Sequence, residues 1–393
     1  MTALPLLRLL PGHDRRVKHG HPWVFSNEVR MDAAARALPP GGPVRLEGED
    51  GVRHGVWHFN PHSLIAARLL DRRLDRAPDA AWFGARLAAA LALRERLGVA
   101  RFCRLAHAEA DGLPGLVVDR FGEVLAVQAN TAGMDAALPL VVQALRDLLS
   151  PRAILLRNDS PVRRLEGLAE EARLAHGTEA VARVEENGLT FEVDLLGGQK
   201  TGWFFDQRDN RARVAALARG ATVLDAFCHT GGFGLAAARA GAAQVTLLDR
   251  SQPALDLALA TAAANGLPGV EALRGDALEV LERLGAEGRR FGVVVSDPPA
   301  FAKTRKDIPN ALRAYVRLAR LSAALVEPGG FLFIASCSHH AEPGAFAGAV
   351  AEGVFRARRT GRILWSGGAG PDHPVHPILP ESAYLKAQLL QLD

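Results

Sequence analysis

Between residues 222 and 336 the chain repeats one pattern: a short aliphatic run, then a longer segment with helical periodicity. Val223-Leu224-Asp225-Ala226-Phe227, Val245-Thr246-Leu247-Leu248-Asp249, Val270 to Arg274, Gly292 to Ser296 and Phe331 to Ala335 read as strands. Their apolar positions are nearly continuous rather than alternating, which marks strands buried on both faces. The segments between them are rich in Ala and Leu, as in Pro253 to Asn265, and read as helices. Strand–helix alternation of this kind predicts a parallel sheet covered on both sides. Just upstream, Thr190 to Leu195 and Thr201 to Phe205 flank Gly197-Gly198 and predict a hairpin.

The pattern changes toward the N-terminus. Residues 1–73 are turn-rich, with strand-like Val44 to Glu47 and Leu64 to Leu69 among Pro39-Pro40-Gly41-Gly42, Gly48-Glu49-Asp50-Gly51 and Asn60-Pro61. This predicts a small β module. Residues 74–187 mix helices (Ala80 to Leu97, Met134 to Leu149) with strands (Leu116 to Asp119, Val124 to Val127, Ala153 to Leu156). The expectation is therefore three domains, 1–73, 74–187 and 188–393, which suits 393 residues at ~150 per domain.

Composition narrows the class. With 48% hydrophobic and 23% charged residues, global disorder is excluded. The net charge of +4 permits an anionic partner without demanding one. Only five of the 47 basic residues are lysine, an Arg bias that inflates every basic patch. Through residue 30, Arg8, Arg15, Arg16, Lys18 and Arg30 outnumber Asp14 and Glu28. Arg15, Arg16, Lys18 and Trp23 are the candidates for contact with such an anionic partner. Cys103, Cys228 and Cys337 are odd in number and widely spaced, which fits neither a disulfide framework nor a paired-cysteine metal site. His339 and His340 lack a third ligand at useful spacing, so no metal is expected. Free thiols, no leader-like segment and no apolar run of about 18 residues point to a soluble cytoplasmic protein without a membrane contact.

In a parallel sheet the ligand sits beyond the carboxyl ends of the strands. Those ends carry the candidate chemistry. The first is followed by Asp225-Ala226-Phe227-Cys228-His229-Thr230-Gly231-Gly232, whose glycines allow close ligand approach, with a helix N-terminus supplying amides. Asp249, 24 residues on, is placed to accept from ribose hydroxyls. Asp276-Ala277 follows the third strand, where a carboxylate meets an adenine amine. Gly232-x-Gly234-x-x-Ala237 also loosely fits a dinucleotide fingerprint, so this segment leaves a nicotinamide enzyme open. The fourth strand ends in Asp297-Pro298-Pro299-Ala300-Phe301, which resembles the Asp-Pro-Pro-aromatic motif of S-adenosylmethionine-dependent methyltransferases acting on nucleobases. Ala300 between the prolines and Phe301 departs from the amino-methylating version.

Ser336-Cys337-Ser338-His339-His340 follows the fifth strand and belongs beside Asp297. A cysteine has a use there. Carbon 5 of cytosine is a poor nucleophile, and a thiolate adding to carbon 6 makes carbon 5 enamine-like. His339 or His340 is placed to favour the thiolate. Cys228 and Cys103 read as packing residues.

The whole chain resembles the bacterial large-subunit ribosomal RNA cytosine-5 methyltransferases with an N-terminal PUA domain. Four segments carry the likeness: Gly20 to Val29, Glu109 to Arg120, Gly198 to Arg208 with Asn210, and the Asp297-Pro298-Pro299 and Ser336-Cys337-Ser338 pair. The resemblance implies a PUA-like barrel, a central α/β domain and a Rossmann-like methyltransferase domain, often as a homodimer. It implies S-adenosylmethionine as cofactor, with Asp206, Gln207 and Arg208 lining its pocket beside the Asp225 loop. It implies 23S RNA or a large-subunit assembly intermediate as substrate, Cys337 as nucleophile and Asp297 as the residue that orients the base. A guanine-nitrogen methyltransferase of the same fold, and an RNA-binding assembly factor, remain the alternatives.

Overall fold

The computed structural model describes residues 3–178, 181–196, 202–302 and 304–393. The chain forms two compact units: Met1–Val184 with Val193–Phe205 and Pro371–Ser382, and Glu185–Glu192 with Asp206–Gly370 and Ala383–Asp393.

The second unit is built on a seven-stranded sheet. Its strands are β1 (Thr222–Ala226), β2 (Gln244–Asp249), β3 (Val270–Arg274), β4 (Phe291–Ser296), β5 (Val326–Ser336), β6 (Gly361–Gly367) and β7 (Lys386–Leu392). The order across the sheet is 3-2-1-4-5-7-6. β1 to β5 are mutually parallel, and β7 runs antiparallel to both β5 and β6. Strand order reverses between β1 and β4, which is where such sheets place a ligand. Val223, Leu224, Val293, Val294 and Val295 are all buried, as strands covered on both faces require. The accompanying helices are α1 (Arg208–Ala215), α2 (Gly232–Arg239), α3 (Gln252–Ala264), α4 (Ala277–Ala286), α5 (Ile308–Leu325) and α6 (Pro343–Arg356). The apolar faces of α4, α5 and α6 close one core around Leu224, Val294, Leu332 and Tyr315.

The first unit holds two five-stranded sheets. The N-terminal one orders Leu6–Arg8, Gly42–Glu47, Arg53–Phe59, Ala67–Asp71 and Trp23–Val24, around Val44, Leu46, Trp57 and Phe59. The other orders Glu171–His176, Ala153–Asn158, Val124–Ala129, Leu116–Phe121 and Phe102–His107. It is packed with helices Ala80–Arg96 and Ala132–Leu149, each started by a side-chain cap: Asp79 accepts from Trp82 N and Thr131 from Met134 N. Among the described residues no helix is long and apolar enough to cross a membrane, and no cluster of His, Cys, Asp and Glu could hold a metal.

Two local expectations are corrected. The expected strand Leu64 to Leu69 starts at Ala67, because Asn60 winds the preceding residues into a turn: its side chain accepts from His62 N at 3.1 Å and its carbonyl from Ser63 N at 3.3 Å. Leu64 is left exposed at the turn. The strand near residue 190 does form a hairpin, but with the segment before it. Val181–Glu186 and Leu189–Asp194 make a two-stranded sheet. Asn187 (φ 51°) and Gly188 (φ 74°) supply the two left-handed residues that a tight hairpin turn needs. Downstream, Phe205–Gln207 is a 3-10 turn rather than a strand. Gly197-Gly198, Lys200 and Thr201 lie outside the described residues.

Candidate functional site

β1 carries Asp225 into the centre of the sheet, where it is fully buried. One carboxylate oxygen accepts from Gly234 N at 2.8 Å, and Oδ1 has no hydrogen-bond partner. Burial pushes this carboxyl up to about 7, with the nearby charges of Asp297 and Asp249 adding to the effect. The chain then leaves β1 through left-handed backbone at Phe227 (φ 62°), His229 (φ 50°) and Gly231 (φ 80°). Non-glycine residues rarely adopt such angles. Here they are held by Cys228 N on the Leu248 carbonyl (3.1 Å), His229 N on Asp249 Oδ2 (2.9 Å) and Gly231 N on the Cys228 carbonyl (2.8 Å).

Thr230 is half-buried in this loop, its hydroxyl 3.4 Å from His229 Nδ1, and the buried Gly232 opens α2. A Cβ on Gly234 would lie 2.4 Å from a Leu247 methyl and 2.9 Å from Val245, so only glycine lets the first turn of α2 rest on β1 and β2. Burial also pushes the Cys228 thiol up, which keeps it protonated and in its packing role.

The other predicted acids stand at neighbouring strand ends. Asp249 is half-buried, and its second oxygen accepts from Ser251 N at 2.9 Å. Asp276 is exposed and caps α4 through Leu278 N (3.0 Å) and Glu279 N (3.4 Å), with Ala277 buried behind it. Asp297 follows β4, its amide on the Ala226 carbonyl at 3.4 Å.

Gln207 meets Asp297 directly: its amide nitrogen donates to Asp297 Oδ2 at 3.0 Å. Asn210 fixes that orientation by donating to Gln207 Oε1 at 2.6 Å and to the Gly368 carbonyl at 3.2 Å. The relay presents an N–H to Asp297, so the carboxylate is held as an acceptor. Asp206 accepts from the Tyr384 hydroxyl at 2.5 Å. Arg208 pairs with Glu186 at 3.7 Å, and Arg211 grips the same Glu186 at 2.5 and 3.0 Å.

Cys337 lies against the Asp297-Pro298 turn, its thiol 3.9 Å from the Pro298 carbonyl and half-exposed. The serines on either side are caged. Ser336 donates to the Tyr315 oxygen at 2.7 Å, which is itself 2.9 Å from Ser338 Oγ. Ser338 also accepts from Ala302 N at 3.2 Å, and its carbonyl from Lys386 Nζ at 2.5 Å. His339 stacks on Tyr384 with ring centroids 5.2 Å apart.

Asn210 belonged to the third segment of the family likeness, whereas Tyr315, Tyr384 and Lys386 are participants that sequence reasoning did not single out. A signal existed for each of these three. The chain has only two tyrosines, and both are here. Lys386 is one of only five lysines and is the one charged residue of its strand.

The N-terminal basic residues behave differently from one another. Arg16 is tied to Glu28 at 3.2 Å and lies over Phe25, and Lys18 bridges Asp14 (2.5 Å) and Asp50 (2.8 Å). Trp23 donates its indole N–H to Glu109 at 2.7 Å and is covered by the Arg68 guanidinium. Arg15 points its side chain to solvent.

Four carboxylates at adjacent strand ends, one with a buried unpartnered oxygen, make an acceptor-rich edge. It fits a cationic sulfonium nucleoside, whose ribose diol, adenine amine and ammonium are donors. It opposes a dinucleotide, whose diphosphate would be repelled.

The comparisons with known proteins agree. Residues 7–72 match a PUA-like domain family, and residues 166–351 match the S-adenosylmethionine-dependent methyltransferase family. Ribosomal RNA large subunit methyltransferase I of Photobacterium profundum is 35% identical over 387 residues, 96% of this chain and 97% of the relative. The protein of the same name from Shewanella denitrificans is 36% identical over 388 residues, 97% of each. Among solved structures, a chain from Streptococcus mutans described as a SAM-dependent methyltransferase superposes with a TM-score of 0.81 at 19% identity, covering 99% of this chain and 100% of its own. Another, crystallised with S-adenosylhomocysteine, has a TM-score of 0.82 at 19% identity and the same coverage. With the acidic edge, the PUA-like module and this full-length likeness together, the chain belongs to the ribosomal RNA large subunit methyltransferase I family of S-adenosylmethionine-dependent methyltransferases.

Proposed function

We propose that this chain methylates carbon 5 of a cytosine in 23S large-subunit ribosomal RNA through a covalent adduct to Cys337. The observation that carries the reading is the half-exposed Cys337 thiol 3.9 Å from the carbonyl of the Asp297-Pro298 turn. The relatives' name supports large-subunit RNA as the substrate class.

S-adenosylmethionine, when bound, supplies an electrophilic methyl group on a sulfonium sulfur. Asp225, Asp249 and Asp276, with Phe227, Thr230, Gly231, Gly232 and Ala277, hold it, and Asp206, Gln207 and Arg208 close its pocket. Asp297, kept as an acceptor by Gln207, takes a hydrogen bond from the cytosine exocyclic amine. Uracil would turn a carbonyl to the same carboxylate and be repelled. Cys337 Sγ forms a bond to carbon 6, and the electron pair of the 5,6 double bond passes to carbon 5, which becomes nucleophilic. Once carbon 5 is methylated, a base removes its proton. That electron pair restores the double bond, and the bond from Sγ to carbon 6 breaks.

The target base must leave its stack to reach the thiol, which suits a loop or an assembly intermediate better than a closed duplex. Arg15, Arg16, Lys18 and Trp23 form the RNA-contacting side of the PUA-like module. The protein works in the cytoplasm, where ribosomes assemble, as a homodimer.

The test uses methyl-labelled S-adenosylmethionine and unmodified large-subunit RNA, with wild type and Cys337→Ala side by side and nucleoside analysis of the product. Label in 5-methylcytosine from wild type alone is the expected result. Label in a guanosine, or equal activity in the variant, overturns the adduct.

A further inference from the structure

Lys386 is buried, 7% exposed, at the start of β7. A buried ammonium is costly unless an opposite charge meets it. Among the described residues no carboxylate lies within ion-pair distance of this one. Its hydrogen bond goes to a neutral group, the Ser338 carbonyl, at 2.5 Å. In the antiparallel register of β5 and β7, Lys386 stands directly across from Ser336. Cross-strand partners project from the same face. The ammonium is thus bracketed to Ser336 by the sheet and to Ser338 by its hydrogen bond, and the residue between those two is Cys337.

We propose that Lys386 is a positioning residue whose ammonium stabilises the thiolate of Cys337. The thiol proton passes to solvent, and the charge left on Sγ adds to that of Glu342 in answering a lysine that no carboxylate meets at ion-pair distance among the described residues. This rests on the reading of Cys337 as a nucleophile.

The other groups facing this thiol do not supply the charge. Asp297 beyond β4 is a carboxyl group and cannot supply a positive charge, and Glu342 before α6 acts on Lys386, which it raises. Tyr315 on α5 is a buried phenol, held neutral by that burial and committed to the two serines. His339 is stacked on Tyr384. Burial lowers the Lys386 amine itself, while Cys337 and then Glu342 raise it.

The test reads the thiol rather than turnover. The full-length protein is alkylated with iodoacetamide as a function of pH, and labelling is mapped by peptide mass, which separates Cys337 from the buried Cys103 and Cys228. In wild type the Cys337 midpoint is expected below the ordinary thiol value of about 8.5. In Lys386→Met it should rise by about one unit, or roughly tenfold less thiolate at neutral pH. Lys386→Arg should restore most of the depression. S-adenosylhomocysteine affinity and the melting curve report whether each variant is folded. A wild-type midpoint at or above about 8.5 overturns the proposal even if no variant folds. So does an unchanged midpoint in folded Lys386→Met. Failure of the adduct reading looks different: Cys337→Ala would keep methyl transfer, whatever the midpoints.

Discussion

The Arg94 cluster of the first unit and the strand-end acids of the second treat charge in opposite ways, although the second unit also buries one answered pair, Glu186 with Arg211. In the first, Arg94 is fully buried and fully answered. It grips both oxygens of Asp111 at 2.6 and 2.9 Å and donates to the carbonyls of Arg104 (2.9 Å) and Asp372 (2.8 Å). Arg104 holds Asp119 at 2.5 and 3.1 Å, and Asp372 accepts from Arg104 N at 3.1 Å and lies 3.0 Å from His373 Nδ1. In the second, Asp225, Asp249 and Asp276 form no ion pair among the described residues and lean on backbone amides. Asp225 keeps one oxygen unpartnered. A charge met by its opposite closes a structure. Acids gathered at strand ends and left without cations keep negative potential for a ligand rich in donors. Buried charge by itself therefore does not mark a site; unanswered buried charge does.

This contrast can be broken at its strongest point first. Arg94→Ala leaves Asp111 buried without its partner, which should cost about 3–5 kcal/mol of stability. A urea unfolding midpoint reads it, and S-adenosylhomocysteine affinity of the folded fraction should be unchanged. Lost affinity at full stability would reverse the roles assigned to the two regions.

The units should also respond to acid with opposite sign. Burial holds His58 neutral, down to about 3, and His107 down to about 2, where the Arg104 and His373 charges add to burial. Both take up protons on unfolding, so the stability that they carry is complete above the usual histidine value and is lost as pH falls below it. Asp225 is the reverse: its raised value penalises the folded state progressively from about pH 4 to about pH 7. Hydrogen exchange corrected for intrinsic rates should show first-unit amides opening faster at mildly acid pH, and those of β1 and β2 opening more slowly.

Asp225→Asn sharpens the same point. It should raise the melting temperature of the ligand-free protein at neutral pH and above, by a gain that shrinks toward pH 4, while lowering S-adenosylhomocysteine affinity about tenfold, or ~1.4 kcal/mol. Calorimetric titration checks the second part.

Gly234→Ala forces α2 off Leu247 and Val245, at about 1–3 kcal/mol, with weaker cofactor binding read by the same titration. The smallest effect belongs to Arg15→Ala. Stability should move by less than about 0.5 kcal/mol, while the slope of log RNA affinity against log salt falls by about one. An unchanged salt slope would remove Arg15 from the RNA-contacting face.

Much of this molecule was legible in its residues. The five parallel strands are short aliphatic runs whose periodicity needs no partner to be recognised, and their ends carry Asp225, Asp249, Asp276, Asp297 and Cys337 in order. The hairpin at Asn187-Gly188 was legible too, since that dipeptide is a strong turn signal, yet Gly197-Gly198 drew the pairing downstream. The strand at Leu64 was mistaken because its aliphatic pattern ignores the Asn60 turn, a side-chain to backbone contact.

What the sequence by itself determined is therefore the local and the repetitive: the strand–helix alternation, the glycine loop after Asp225, and the chemistry available at each strand end. What only the tertiary structure decided is who answers whom. Gln207 reaches Asp297 across 90 residues and Tyr384 reaches Asp206 across 178, while Lys386 comes to Ser338 through the antiparallel insertion of β7 beside β5. The physical reason is that periodicity is a property of neighbours along the chain. A hydrogen bond or a counter-charge acts over a few ångströms in space and leaves no fixed spacing in the sequence.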